Sequence, residues 1–320
     1  MSTDYLVKVA DAIPESPART RGSERAPLRL GLVQQRWRAD AAEHEQALAE
    51  GIALAAAEGA RIVCLQELTL SPYFAITPEG PAQLGVEPES LDDGPTVSFA
   101  RRAAAASGVH VHASLFERAD RGDGLGFNTA VLVSPEGELV QRTRKLHIPV
   151  TAGYYEDRYF RRGPAAGEGE PFPVVSLPDS DARLGLPTCW DQWFPELARA
   201  YSLAGAEVLI YPTAIGSEPD HPQFDTEPLW QQVIVGNGIA NGTFMVAVNR
   251  FGAEPPLTFY GSSFISDPYG RILVQAPRDR ETVLVADLDL DQRRDWLELF
   301  PFLTTRRPDA YGSLTAPADR

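Results

Sequence analysis

Three residues of this chain combine reactive side chains with positions at the ends of strand-like runs. Glu67 closes "RIVCLQE", Lys145 follows "ELVQRTR", and Cys189 closes "ARLGLPTC" just before "WDQWFPELARA". In sheets covered by helices, reactive groups collect where strands end. A carboxylate, an ammonium and a thiol placed there supply a base, a cation and a nucleophile, the kit for acyl transfer through a covalent intermediate. Taken singly, each also fits an ordinary role: a surface acid, a surface lysine, a small buried thiol. A thiol is only slightly ionised at neutral pH, so an adjacent base and a local positive potential must activate it.

Those positions require strands to deliver them, and the pattern supplies strands. From Leu28 onward "LRLGLVQQ" reads as a strand and "DAAEHEQALAEGIALAAAEGA" as a long helix closed by Gly59. "TVSFARRAAAASG" is helical, and "VHVHASLFE" and "NTAVLVSPEGELVQRTRK" are strands, the latter folded at Pro135-Glu136-Gly137. In the second half, "EVLIYP", "TFMVAVNRF" and "TVLVADLDL" are strands and "FYGSSFISDPYGRILVQA" is a hairpin. "PELARAYSLAGA", with Pro195 in its first turn, and "EPLWQQVIVGNGIANG" are helices. Alternation of this kind implies an α/β fold with mixed sheets covered by helices. No linker interrupts residues 28–315, which read as one domain between a loose Pro/Ser/Arg-rich arm, 1–27, and a short tail, 316–320.

Composition narrows the function. The 320 residues carry 29 Lys and Arg against 44 Asp and Glu, a net charge of −15, which repels phosphate backbones and argues against nucleic acid. No apolar run is long enough for a membrane span and no signal-peptide core opens the chain, so a cytoplasmic protein is expected. Two cysteines form no disulfide framework. His110 and His112 share one strand face without a third ligand, so no metal is expected. No dinucleotide fingerprint occurs and the chemistry needs no cofactor.

The segments "LQELTLSPYF", "RKLHIP…GYYE" and "CWDQWFPE" resemble, in order and spacing, the three signatures of the nitrilase superfamily of carbon–nitrogen hydrolases. The resemblance runs from Leu28 to Leu314. Within the superfamily, "GAEVLIYPTAIGSEP", "FYGSSFI" and "RRPDAYG" look most like N-carbamoylputrescine amidases and β-ureidopropionase-like amidohydrolases. It implies a four-layer α-β-β-α sandwich with two mixed β-sheets. It implies Cys189 as nucleophile and Glu67 as the base that takes the thiol proton and returns one to the departing amine. Lys145 and the backbone N–H of Trp190 would hold the oxyanion, donors typically worth about 3–4 kcal/mol each. Glu156 would orient Lys145 or the hydrolytic water. The implied substrate is a small linear N-carbamoyl amine or amide, with an aliphatic amide or a nitrile as the alternative. A non-catalytic subunit is the alternative of another class. A homodimer or higher homo-oligomer is implied, formed through the helix after Cys189, with Trp193 and Phe194 at the interface.

Other positions bear on substrate choice. Glu218, in "YPTAIGSEP", suits a distal ammonium or is a turn acid before Pro219; Tyr73 and Trp190 line a pocket or pack the core. Asp191 reads as a cap for the turn after Cys189, His147 as a local tie in the lysine loop, and Cys64 as structural. Pro187 removes a ladder N–H two residues before Cys189, so the nucleophile strand should be interrupted at its end.

Overall fold

A computed structural model describes residues 3–79, 85–120, 122–178 and 180–316. Two sheets lie face to face. The first runs Leu6–Val9, Thr282–Leu288, Leu28–Gln34, Ile62–Cys64, His110–Glu117, Gly126–Val133 and Leu139–Arg144, with Phe160–Arg161 beside Gly126–Val133. The second runs Val174–Ser176, Arg183–Gly185, Val208–Thr213, Phe244–Asn249, Phe264–Ser266 and Ile272–Gln275. Both are mixed. Leu28–Gln34 pairs in parallel with Ile62–Cys64 and antiparallel with Thr282–Leu288, and Phe244–Asn249 pairs in parallel with Val208–Thr213 and antiparallel with Phe264–Ser266.

The two-residue period of each strand divides its side chains between two cores. Leu30, Leu32, Ile62, Cys64, Leu132, Val208, Ile210 and Val246 fill the space between the sheets. The alternate residues Val33, Val63, Val111 and Val131 meet α1 (Ala41–Ala57) and α2 (Pro95–Ser107) on the outer face of the first sheet. Leu209, Tyr211 and Met245 meet α3 (Pro195–Leu203) and α4 (Glu227–Asn241) on the outer face of the second. The layering is α-β-β-α, and strands buried on both faces explain why their runs are continuously apolar. Local signals set the helix ends: the Asp40 carboxylate accepts from Glu43 N–H at 2.9 Å, and α2 ends at Gly108, whose φ of 67° suits glycine.

One expectation needs correction. The arm before Leu28 is tied to the domain. Leu6–Val9 forms the parallel edge strand beside Thr282–Leu288, and Arg19 donates to Asp289 at 2.7 Å and Asp295 at 2.8 Å. Arg25 pairs with Asp291 at 3.0 Å and Glu207 at 2.8 Å. "LVKV" is too short to stand out by propensity; the open sheet edge completes its hydrogen bonds. A helix that the sequence pattern does not announce, α5 (Asp291–Leu299, "DQRRDWLEL"), is held by ion pairs to that arm. Of the tail 316–320, residues past Ala316 lie outside the described residues.

Candidate active site

Each reactive residue sits just past the end of a strand, as its run predicts, and each backbone is held there by a different device. Glu67 comes three residues after Ile62–Cys64. Arg250, buried at the end of Phe244–Asn249, donates Nη2 to the carbonyls of Glu67 at 2.6 Å, Leu68 at 3.1 Å and Ser71 at 3.3 Å. Its Nη1 pairs with Glu254 Oε1 at 2.7 Å, while Glu254 Oε2 accepts from Tyr73 N–H at 2.7 Å. A buried ion pair just past a strand of the second sheet thus fixes the loop that carries Glu67, including Leu68 at a left-handed φ of 49°. Lys145 directly follows Leu139–Arg144; its N–H donates to the Asn128 carbonyl at 2.8 Å and its own carbonyl accepts from Gly163 N–H at 2.8 Å. A Cβ on Gly163 would stand 2.6 Å from the Arg144 carbonyl oxygen, so only glycine permits that approach.

The strand before Cys189 stops at Gly185, in keeping with the missing N–H of Pro187. Cys189 then opens a tight turn, Cys189–Trp193, at a φ of 42°, a conformation that costs a non-glycine residue roughly 1 kcal/mol or more. Asp191, 1% exposed, holds the turn: its carboxylate accepts from Thr188 N–H at 3.1 Å, His147 N–H at 3.0 Å and His147 Nδ1 at 2.7 Å. Asp191 therefore caps its own turn and ties it to the lysine loop, and His147 is the local tie its position suggests. From α4, Trp230 and Asn237 donate to Gln192 Oε1 and to the Gln192 carbonyl, each at 2.9 Å.

The side chains meet in one cluster. Lys145 Nζ donates to Glu67 Oε1 at 2.9 Å and to Glu156 Oε1 and Oε2 at 2.8 and 2.7 Å, and all three residues are buried. Tyr73 donates its hydroxyl to Glu156 Oε1 at 2.8 Å, and Asn128 Nδ2 donates to Glu67 Oε1 at 2.7 Å. Glu67 Oε2 is buried with no hydrogen-bond partner. Burial alone would depress the Lys145 ammonium, but Glu156 and then Glu67 outweigh it and hold its pKa above the ordinary lysine value. Burial pushes the Glu156 carboxyl up to about 7 against the pull of Lys145. Burial and the charge of Glu67 push the Cys189 thiol well up, with Lys145 opposing. The resting sulfur is a thiol with a cation and two acids around it.

A cavity of about 370 Å³ opens onto Cys189 and Glu156, walled by Tyr154, Trp190, Trp193 and Ile215. Glu218 and His221 also line it, as do the half-exposed Phe224 and Leu229. Among the described residues lining it there is no lysine or arginine. Burial raises the Glu218 carboxyl, which accepts from the Thr226 hydroxyl at 3.3 Å.

The structure brings Glu67, Lys145, Glu156 and Cys189 together and places Trp190 and Glu218 on the cavity wall. Tyr73 is the exception: it lies fully buried behind that wall, because its hydroxyl is drawn to Glu156 and its ring packs against Tyr154 and Phe259. Trp193 and Phe194, expected between protomers, have partners inside the chain: Trp193 packs on Trp190, and Phe194 stacks on His147 at 3.6 Å. Asn128, Arg250, Glu254 and Ser114 escape a sequence reading, since each also has a partner 46 to 183 residues away; "NTAVLV" and "TFMVAVNRF" are read only as strand. Among the described residues no group of His, Cys, Asp and Glu is placed to hold a metal ion, and no helix is long and apolar enough to cross a membrane.

Two facing mixed sheets, a helical layer outside each, and reactive groups gathered where strands of both sheets end define a hydrolase of the nitrilase fold. The chain belongs to the carbon–nitrogen hydrolase family, whose model matches residues 29–298, and is an enzyme that hydrolyses carbon–nitrogen bonds other than peptide bonds. It is 37% identical to an N-carbamoylputrescine amidase of Arabidopsis thaliana over 80% of this chain and 84% of that protein. It is 35% identical to a citrullinase of Francisella tularensis over 90% of this chain and 98% of that protein. A solved carbon–nitrogen hydrolase from Helicobacter pylori G27 superposes with a TM-score of 0.80 at 32% identity, covering 92% of this chain and all of that one, 100%.

Proposed function

We propose that the chain is a cysteine amidohydrolase for a small linear N-carbamoyl amine of the N-carbamoylputrescine kind. The observation that carries this reading is a buried thiol that lines an apolar cavity beside an ammonium held by two carboxylates, one of whose oxygens is unpartnered. Because the resting sulfur keeps its proton, attack couples to proton transfer: Glu67 Oε2 takes the thiol proton as sulfur bonds to the carbamoyl carbon. The oxyanion is met by Lys145 and the Trp190 N–H, whose charge and dipole are already in place. Collapse breaks the C–N bond, and the proton on Glu67 goes to the departing amine. Water, deprotonated at the same carboxylate, then attacks the thioester-like carbamoyl carbon; the C–S bond breaks and sulfur is reprotonated. Glu156 holds Lys145 in register throughout.

Substrate class follows from the cavity wall. Glu218 supplies a negative charge for a distal ammonium, and the apolar walls suit a methylene chain between ammonium and carbamoyl group. A substrate ending in a carboxylate finds no lysine or arginine among the described lining residues. The test is a panel of N-carbamoylputrescine, N-carbamoyl-β-alanine, citrulline, aliphatic amides and nitriles. The reading predicts the highest kcat/KM for the cationic carbamoyl amine; preference for a carboxylate-bearing substrate or a nitrile would overturn it. We take the enzyme to be a cytoplasmic homo-oligomer without cofactor.

A further inference from the structure

The two oxygens of Glu67 are not equivalent. Oε1 accepts from both Lys145 Nζ and Asn128 Nδ2, while Oε2 is buried and unpartnered. The Asn128 amide has one consistent orientation. The Ser114 hydroxyl accepts from Leu68 N–H at 3.1 Å, which leaves its own proton to give to Asn128 Oδ1 at 3.4 Å and turns Nδ2 toward Glu67.

We propose that Asn128 is a positioning residue that assigns the oxygens of Glu67, holding Oε1 so that Oε2 alone is left to take the thiol proton. The inference rests on the reading of Glu67 as base and goes beyond it. Asn128 lies inside the strand Gly126–Val133, and its backbone carbonyl also receives the Lys145 N–H, so one rigid residue registers base and cation together. A neutral donor suits the place. The cluster already holds two carboxylates and one ammonium, and an amide fixes the carboxylate without adding charge. Glu67 is faced by Lys145, Glu156, Tyr73, Tyr154 and Cys189, with Arg250 at its carbonyl. Asn128 is a neutral member of this set, and removing it takes one donor from Oε1 without changing the charge of the cluster.

The test needs no substrate. Alkylation of Cys189 by iodoacetamide, mapped by peptide mass against pH, reports thiol activation directly. Asn128→Leu keeps the volume and the backbone contact to Lys145. The proposal predicts labelling slower by about 10–100-fold, the ratio that loss of a hydrogen bond to a charged group gives. Ser114→Ala, which frees the amide to turn, gives the same change in smaller degree. With a substrate in hand, kcat falls while KM holds. A purely structural Asn128 would lower the melting temperature of Asn128→Leu and leave the labelling rate of the folded protein in place, and that result overturns the proposal. If Asn128→Leu does not fold, an unchanged Ser114→Ala labelling rate overturns it instead. Should the wild type show no selective labelling of Cys189, and Cys189→Ala still hydrolyse substrate, the reading of Glu67 as base fails and this proposal with it. Selective wild-type labelling with an insensitive Asn128→Leu defeats the positioning role alone.

Discussion

Cys64 and Cys189 are both free, buried thiols at strand ends, 0% and 6% exposed, yet their surroundings differ in kind. Cys64 points into the core between the sheets, among Leu32, Ile62 and Leu132, and burial alone pushes its thiol up. Opposite it in register is His112, fully buried, with neither ring nitrogen partnered, and burial alone drives its pKa down to about 3. Cys189 is desolvated too, but Lys145, Glu67 and Glu156 act on it and a cavity reaches it. Desolvation by itself silences a titratable group. Desolvation with a cation, a free acceptor and an access route leaves the group protonated at rest and ready to lose its proton when a carbonyl arrives.

The largest predicted effect separates the two thiols. Cys189→Ala loses at least about 10⁴-fold in hydrolysis with an unchanged melting temperature, and Cys64→Ala keeps kcat while losing about 1–2 kcal/mol of stability. Equal activity losses in the two variants would erase the distinction. A second prediction concerns the cation. Lys145→Met leaves Glu67 and Glu156 buried without their partner, so urea unfolding should show about 3–5 kcal/mol lost at neutral pH. The loss should shrink in acid, where a protonated Glu156 no longer repels Glu67. A smaller effect tests the inert region. The unfolded His112 imidazole binds a proton below about pH 6.5 and the folded one only near pH 3, so the unfolded state binds more protons in that window. Stability contributed by neutral His112 is present above pH 6.5 and is lost as pH falls toward 3. His112→Leu should therefore flatten the acid side of melting temperature against pH, leaving the part due to His44, whose pKa burial lowers to about 4. An acid limb as steep as the wild type's would show that His112 is not the neutral, unpartnered group described.

What a sequence can disclose follows the same division. Glu67, Lys145 and Cys189 are legible because each follows a strand-like run, and strand ends are where a fold of this class presents its chemistry. Pro187 announces the break before Cys189. The supports are not legible in this way. Asn128 reaches Glu67 across 61 residues and Arg250 reaches the same loop across 183, and neither differs locally from other strand polar groups. Tyr73 looks like a wall residue by its place near Glu67, and only the position of Glu156 shows why it turns inward. The arm and α5 stay hidden for a related reason: each is weak alone and is stabilised by ion pairs to the other.

The most direct test of the central claim is to quench the enzyme in acid during turnover of N-carbamoylputrescine and map the adduct by peptide mass spectrometry. The account predicts one carbamoyl-type adduct on the peptide Leu184–Arg199, at Cys189, with Cys64 unmodified and no adduct in Cys189→Ala. Steady hydrolysis by Cys189→Ala, or an adduct on any other residue, would contradict it.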